Sequence, residues 1–207
     1  MALLSYWKNW DKVKDTVKSL AGRFGFEKGR EIRFLGFKLS LENGKIYDEI
    51  LNEEVEDDRK GEIYYVLYIH SQATEDVGET GEYASFTELF KAYGEYALKH
   101  CPAFKSVCKE FEEGFGRNPE PLRKVAEILG CEIVDYGDVA LKIYALPKVP
   151  IILVIWVGDE EMPPSSNILF DKSAVNYIPE CEALVRLAKI TVERVLSIAK
   201  SHKPIKT

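Results

Sequence analysis

Six carboxylates stand at positions where a chain can bring side chains together. Asp138, Asp159, Glu160, Glu161, Asp171 and Glu180 all fall at expected strand ends, in loops or at a helix start. Oxygen ligands of this kind suit magnesium, calcium or manganese, and a pair of carboxylates can divide the work of general acid and general base. A divalent-metal-dependent enzyme built on this Asp/Glu cluster requires Asp159, Glu161 and Asp171 to converge in one cleft. The same residues also have structural uses. Asp138 follows a glycine turn, Asp171 precedes a helical turn it can cap, and Glu180 sits where a helix N-terminus favours negative charge. Trp156 precedes Gly158-Asp159 and offers a flat apolar face with one donor. With Asp159, Glu160, Glu161 and Asp171 it makes the expected cofactor-binding set, although tryptophan at a strand end also serves as packing. Pro163-Pro164 stiffen the loop that follows.

The remaining chemistry-bearing residues fall short of a motif. His100-Cys101-Pro102 is the nearest approach to a nucleophile signal, because a helix beginning at Pro102 places Cys101 at its N-cap, where the dipole lowers a thiol pKa. Adjacent His and Cys side chains diverge, however, and no recognised cysteine-enzyme motif surrounds them. Cys101, Cys108, Cys131 and Cys181 show no CxxC pair and no zinc-finger spacing. On a shared helix Cys101 and Cys108 are about 10 Å apart, too far for a disulfide, so reduced thiols are expected. His70 reads as a core or boundary histidine, and His202 belongs to the tail. Gly78-Glu79-Thr80-Gly81 lacks both the Lys-Ser/Thr ending of a P-loop and the GxGxxG pattern. Tyr64, Tyr65 and Tyr68 have no surrounding basic residues to make a base-stacking platform. No catalytic or metal-ligand set is therefore assigned, and the cofactor is left open.

The elements that must position these residues are legible from periodicity. Tyr6, Trp10, Val13, Val17 and Leu20 form one stripe of a helix from Leu4 to Ala21. Glu31 to Leu41 reads as a strand, Glu42-Asn43-Gly44 as a turn and Lys45-Ile46-Tyr47 as the returning strand. Asp57-Asp58 open a second helix with Ile63, Val66, Leu67 and His70 on one face, a strand being the alternative. A loop from Ala73 to Gly81 leads to the strand-like Tyr83-Ala84-Ser85-Phe86, after which Thr87 can cap a helical turn. Pro102 to Glu113 and Pro119 to Leu129 read as helices, with Asn118 as N-cap and Gly130 as stop. Cys131 to Val134, Val139 to Leu146 and Pro150 to Val157 read as strands, the last two forming an antiparallel hairpin across Pro147-Lys148-Val149-Pro150. After a loop and a short strand from Asn167 to Phe170 comes a long helix from Pro179 to Ser201. Its inner face carries Leu184, Leu187, Ala188, Thr191, Val195 and Ile198, and its wet face the pairs Glu182–Arg186 and Lys189–Glu193. The expectation is a single α+β domain over residues 1–207, with a mixed or antiparallel sheet, a central hairpin and amphipathic packing helices.

Composition bounds the function classes. The chain has 207 residues, 46% of them hydrophobic and 30% charged, with formal net charge −6. That balance demotes proteins dominated by phosphate contacts, so nucleic acid is not an expected partner. No signal-peptide region follows Met1, and the run Val149 to Val157 is about half of the roughly 20 residues a membrane span needs. A cytoplasmic protein without membrane contact is expected. Gln72 is the only glutamine, a bias seen in thermophiles. Leu3, Trp7 and Trp10 near the chain end are apolar enough to favour a homodimer if left uncovered.

Leu146-Pro147-Lys148-Val149-Pro150, Trp156-Val157-Gly158-Asp159-Glu160-Glu161, Leu169-Phe170-Asp171-Lys172-Ser173-Ala174 and Tyr177-Ile178-Pro179-Glu180 together resemble domain-of-unknown-function family 3786. The resemblance extends from Phe34-Leu35-Gly36 to the last helix and includes Thr80-Gly81-Glu82 and Gly137-Asp138-Val139-Ala140. That family occurs mainly in anaerobic archaea and bacteria and is sometimes fused to an iron–sulfur cluster domain, which this chain lacks. The resemblance carries no catalytic residues. It implies a fold, an anaerobic setting and, as the expected function, a non-catalytic accessory protein that binds a cofactor or an iron–sulfur or other cofactor-carrying partner.

Overall fold

The computed structural model describes residues 8–202 and, within them, all side chains except those of residue 93 and residues 95–100. The fold is α+β, with two antiparallel sheets and a long final helix. Helix α1 (Trp10–Lys18) begins at Asn9, whose Oδ1 accepts from the Asp11 amide at 3.0 Å. Val13 and Val17 are buried, and the Trp10 ring lies against Gly44 and 5.4 Å from Tyr64. The described part of the first stripe therefore packs on the chain's own core, while Leu3, Tyr6 and Trp7 lie outside the described residues.

The first sheet is a meander of β1 (Glu31–Phe34), β2 (Phe37–Ser40), β3 (Ile46–Asp48) and β4 (Glu53–Glu54). One strand was expected from Glu31 to Leu41. Instead the chain reverses at Leu35-Gly36, both at positive φ (50° and 75°), in a two-residue hairpin turn, and β1 pairs with β2 from Glu31↔Ser40 to Phe34↔Phe37. A leucine is held there by a tertiary bond, because its carbonyl accepts from buried Arg194. The expected return through Asn43-Gly44 does occur, between β2 and β3.

Helix α2 (Asp57–Ser71) takes the helical alternative and is buried on most sides, including Ile63, Tyr64, Tyr65, Val66, Leu67, Ile69 and His70. A helix surrounded in this way carries little amphipathic signal, which is why its sequence also reads as a strand. The second sheet contains β5 (Tyr83–Ser85), β6 (Glu132–Val134), β7 (Val139–Leu146), β8 (Val149–Trp156) and β9 (Ser165–Asp171), in the order β5-β9-β8-β7-β6. The expected β7–β8 hairpin forms from Val139↔Ile155 to Leu146↔Val149, with a tighter turn at Pro147-Lys148. Leu141, Ile143, Ile151, Leu153, Ile155, Ile168 and Phe170 face the main core. The alternate residues Ala140, Ile152 and Val154 form a smaller cluster with Tyr83, Val134 and Leu169 on the opposite face.

Short α3 (Phe86–Leu89) is capped by Ser85, whose Oγ accepts from Glu88, and not by Thr87. Helix α4 (Glu95–Phe115) does not begin at Pro102 but runs through it. Pro102 lies past the first turn, so it removes one internal hydrogen bond that the rest of a long helix must offset, and Cys101 thereby moves from a cap into the helix interior. Helix α5 (Pro121–Leu129) starts later than Pro119, with Pro121 at its first position. Asn118 caps only the preceding turn, through the Glu120 amide at 3.3 Å, and Gly130 ends the helix at φ 65° as expected. A single turn, α6 (Ala174–Tyr177), precedes α7 (Cys181–Ser201). Helix α7 buries the whole expected inner face and forms both expected surface pairs. No helix among the described residues is long and apolar enough to cross a membrane.

Arg194, on the inner side of α7, is fully buried and joins the layers. Its Nη1 and Nη2 donate to the two oxygens of Asp48 in β3, the latter at 2.7 Å, and Nε donates to the Leu35 carbonyl at 2.8 Å. Removing one member leaves a buried charge without its partner. Arg194→Met should cost about 3–5 kcal/mol in chemical denaturation, and Arg194→Met combined with Asp48→Asn less than the sum of the single changes. Additive losses would show that the pair is not coupled.

Candidate functional site

The five residues of the expected cofactor set do not form one group. Trp156 ends β8 opposite Ser165, whereas Asp171 ends β9 at the far edge, six residues along the strand or about 20 Å away at ~3.4 Å per residue. Asp159 is engaged in its own turn, its Oδ1 accepting from the Glu161 and Met162 amides at 2.8 and 2.7 Å, which hold its carboxyl below the usual range. Glu160 and Glu161 are exposed beside it. Asp138 accepts from the Val157 amide at 2.7 Å, and Glu180 from the Tyr65 hydroxyl at 2.9 Å. Asp159, Glu161 and Asp171 do not converge, and among the described residues no three His, Cys, Asp or Glu side chains are grouped to hold a metal ion.

Asp171 is a buried loop anchor. It accepts from the Thr80 amide and hydroxyl (3.0 and 2.9 Å), the Gly81 amide (2.7 Å) and the Ser173 amide (2.8 Å). These donors lower its pKa against the opposing effect of burial. The loop between α2 and β5 is fastened elsewhere too. Arg23 holds the Ala73 carbonyl at 2.7 Å, the Tyr177 hydroxyl joins Asp76 and the Gly78 amide, and Lys172 pairs with Glu82. Lys142 reaches Glu79 at 3.4 Å across the outer sheet face. The Thr80-Gly81-Glu82 and Asp171-Lys172-Ser173 segments are thus two halves of one latch.

His70 is fully buried beneath it, in contact with the rings of Phe24, Phe26 and Tyr177. Its Nδ1 lies 3.2 Å from the Tyr177 carbonyl and so donates to it, leaving Nε2 bare and without a partner. Burial depresses its pKa to about 4. The thiols are likewise quiet: burial pushes Cys108 up to about 11 and Cys131 up to about 12. The His100 side chain lies outside the described residues.

The Trp156 end of the sheet and the turns beside it carry several exposed apolar side chains. Tyr136 and Trp156 are each 42% exposed, Val157 37% and Met162 67%. Gly137 approaches Val154 and the Trp156 indole so closely that a Cβ there would lie 2.8 Å from the former, which brings the Tyr136-Gly137 turn against the end of β8. The Asp159 turn ties Met162 beside them, and Arg117 steadies that turn through the Asp159 carbonyl at 2.9 Å. Asp135, Asp138, Asp159, Glu160 and Glu161, which flank these residues along the chain, are exposed.

Concave surface lies elsewhere. A cleft of about 560 Å³ separates the start of α2 from α7, and one of about 410 Å³ separates α4 from α7, with Arg186 and Lys189 bordering both. Most cations there are paired: Glu62 receives Lys8 and Arg186, and Glu182 accepts from Arg186 at 2.7 Å. Arg59 differs, since its Nε and Nη2 are buried with no hydrogen-bond partner. Sequence reasoning passed over Arg59, because among 28 lysines and arginines nothing in its spacing marks it.

The chain belongs to the family described as "Domain of unknown function (DUF3786)", whose model matches residues 13–194. No curated protein and no solved structure matches it.

Asp171→Asn puts an amide N–H against the Thr80 and Gly81 donors. We expect a loss of about 2–3 kcal/mol and faster hydrogen exchange at both amides. Unchanged exchange would remove the latch. His70 titrates in a separate pH window. Its folded pKa is about 4 against an ordinary 6.5, so the unfolded chain binds the proton first and stability falls as pH drops from 6.5 to 4. The loss is on the order of 3 kcal/mol, and His70→Phe should flatten that part of a denaturation-versus-pH curve. The Asp171 contribution, with its lowered pKa, is present above the ordinary 3.8 and lost only below it.

Proposed function

We propose that this member of the family is a non-catalytic accessory protein that docks a partner protein through the Trp156 end of its five-stranded sheet. The observation that carries the reading is the apolar patch of Tyr136, Trp156, Val157 and Met162. Large exposed side chains collected at one place and rimmed by polar groups mark interaction surfaces. Aromatic residues and methionine at the centre of such a patch supply most of the contact energy.

The rim selects the partner by charge. Five exposed carboxylates flank the patch along the chain, and Arg117 is engaged with the Asp159 turn. A partner with lysines or arginines around an apolar centre is complementary, and steering by those charges speeds its approach. On this reading Trp156, Asp159, Glu160 and Glu161 touch a protein surface, and Asp171 acts from a distance as part of the fold. The resemblance to a family found with iron–sulfur domains favours a cofactor-carrying protein of anaerobic metabolism as that partner.

The test compares the wild-type chain with Trp156→Glu/Met162→Glu and with a remote control, Arg123→Glu. All three are purified anaerobically and measured by native mass spectrometry and absorbance. We expect a salt-sensitive complex with a basic protein that survives the control change and is lost in the double variant. A bare monomer, or a complex indifferent to the double variant, overturns the proposal. A homodimer that the double variant dissolves also overturns it, by making the patch a self-interface.

A further inference from the structure

We infer that the partner engages the open edge of the five-stranded sheet, adding to β6 an extended segment in which basic residues alternate with an apolar one. This rests on the docking reading above and supplies the form of the partner. In the order β5-β9-β8-β7-β6 the two edges are β5 and β6, and among the described residues β6 pairs with β7 alone. A strand at an edge leaves alternate backbone N–H and C=O groups without a ladder partner, and folds blunt such edges with covers or charge. At β5 the residue on the core side, Ala84 opposite Phe170, is 2% exposed, so that edge is covered. The first sheet is protected as well: Ile32 and Phe34 of β1 are buried, and β4 consists of two glutamates. At β6 the residue on the core side is Ile133, opposite buried Leu141, and it is 52% exposed. The helix layer stops short of it, and a β-branched side chain is left beside unpaired backbone.

Charge selects the occupant. Glu132, opposite Lys142, stands on the outer face of β6, and Asp135 follows the strand, both of them exposed. Antiparallel pairing of two β6 strands about Ile133 would make their Glu132 side chains diagonal neighbours on one face, about 7–8 Å apart. An Asp135 would stand at each end of that pair, in a chain whose net charge is already −6. A second copy is therefore opposed. A segment with an apolar residue beside Ile133 and a lysine or arginine on either side of it matches both faces. Its apolar side chain extends the core side of the sheet, and its cations meet Glu132 and Asp135. In such strand addition the main-chain hydrogen bonds supply affinity and the alternate side chains supply specificity.

The edge also leads to the apolar patch. Val134, Ala140 and Val154 stand in one row across β6, β7 and β8, and Trp156 is two residues beyond Val154. Two strands across and two residues along put Trp156 about 12 Å from Val134. The Tyr136-Gly137 turn bridges the interval, since Gly137 abuts both Val154 and the Trp156 indole. One partner can cover the edge and the patch together.

The test titrates a synthetic peptide, acetyl-Lys-Val-Lys-Val-Lys-amide, into the isotope-labelled full chain. Two control peptides accompany it: the same sequence with its inner amides N-methylated, which cannot donate to a strand, and Glu-Val-Glu-Val-Glu. We expect the lysine peptide to shift the Ile133 and Val134 amide resonances and to slow hydrogen exchange in β6, and both controls to bind at least about tenfold more weakly. Ile133→Lys and Glu132→Lys/Asp135→Lys change only exposed side chains and should each weaken the lysine peptide by about tenfold or more. Trp156→Glu/Met162→Glu should leave this short peptide within about twofold of wild type, so the edge and the patch are read separately. The edge assignment is overturned if the lysine peptide leaves β6 unshifted, if either control peptide binds as tightly, or if the β6 variants bind as wild type does. A homodimer of the peptide-free chain that Ile133→Lys dissolves also overturns it, by making a second copy the occupant.

Discussion

A single buried guanidinium holds the layers of this protein together. Arg194 projects from the inner side of α7 and meets Asp48 from β3, the Leu35 carbonyl from the β1–β2 turn and the face of Phe37 from β2. Asp48 is itself committed, since its Oδ1 also accepts from the Ile50 and Leu51 amides at 3.0 and 2.8 Å. A buried ion pair gains little over an apolar contact of the same shape, because both charges must shed water. What it supplies is directionality. An apolar helix face can slide over a sheet, but three donors aimed at fixed acceptors cannot. Gly36 is part of the same constraint, because a Cβ there would lie 2.8 Å from the Arg194 Nη2.

The other sheet is secured differently. Its edge strand β5 has three residues and could not hold its place by ladder bonds alone. Asp171, at the end of the neighbouring β9, gathers the amides that lead into β5, and Tyr177, Arg23 and Lys172 fasten the rest of the connection. A carboxylate in such a place looks like a ligand in sequence and is a loop anchor in space. Its burial and its lowered pKa come from neighbouring donors, which is the same electrostatics that metal sites use.

What could be read in advance divides along physical lines. The β7–β8 hairpin and helix α7 were legible because local pattern and tertiary role agree there: a short proline-flanked link between apolar runs, and a wide stripe that must be buried. The turn at Leu35-Gly36 was not, because it rests on a bond to residue 194, far along the chain. The start of α4 was misplaced because Pro102, which would suit a first helical position, is instead accommodated inside a longer helix. For the same reason the electrostatic case for a reactive Cys101 dissolves once the residue sits inside a helix. Trp156, Asp159, Glu160 and Glu161 share one end of β8 and its following loop only because they are close in sequence. Asp171 was grouped with them only because strand direction was unknown.

Arg59 and Arg194 show how far tertiary context can separate two residues of one type. The two residues share chemistry, a common aromatic platform and nearly the same neighbourhood, yet every donor of one edge is filled in Arg194 and empty in Arg59. Sequence cannot separate them, since both are basic residues on helices. The difference arises from which carboxylates each can reach. Asp48 is turned inward by two backbone amides and meets Arg194, while Glu193 is drawn toward Lys189 and stops short of Arg59. Among the described residues few buried polar groups are left unmatched, and Arg59 is one of them.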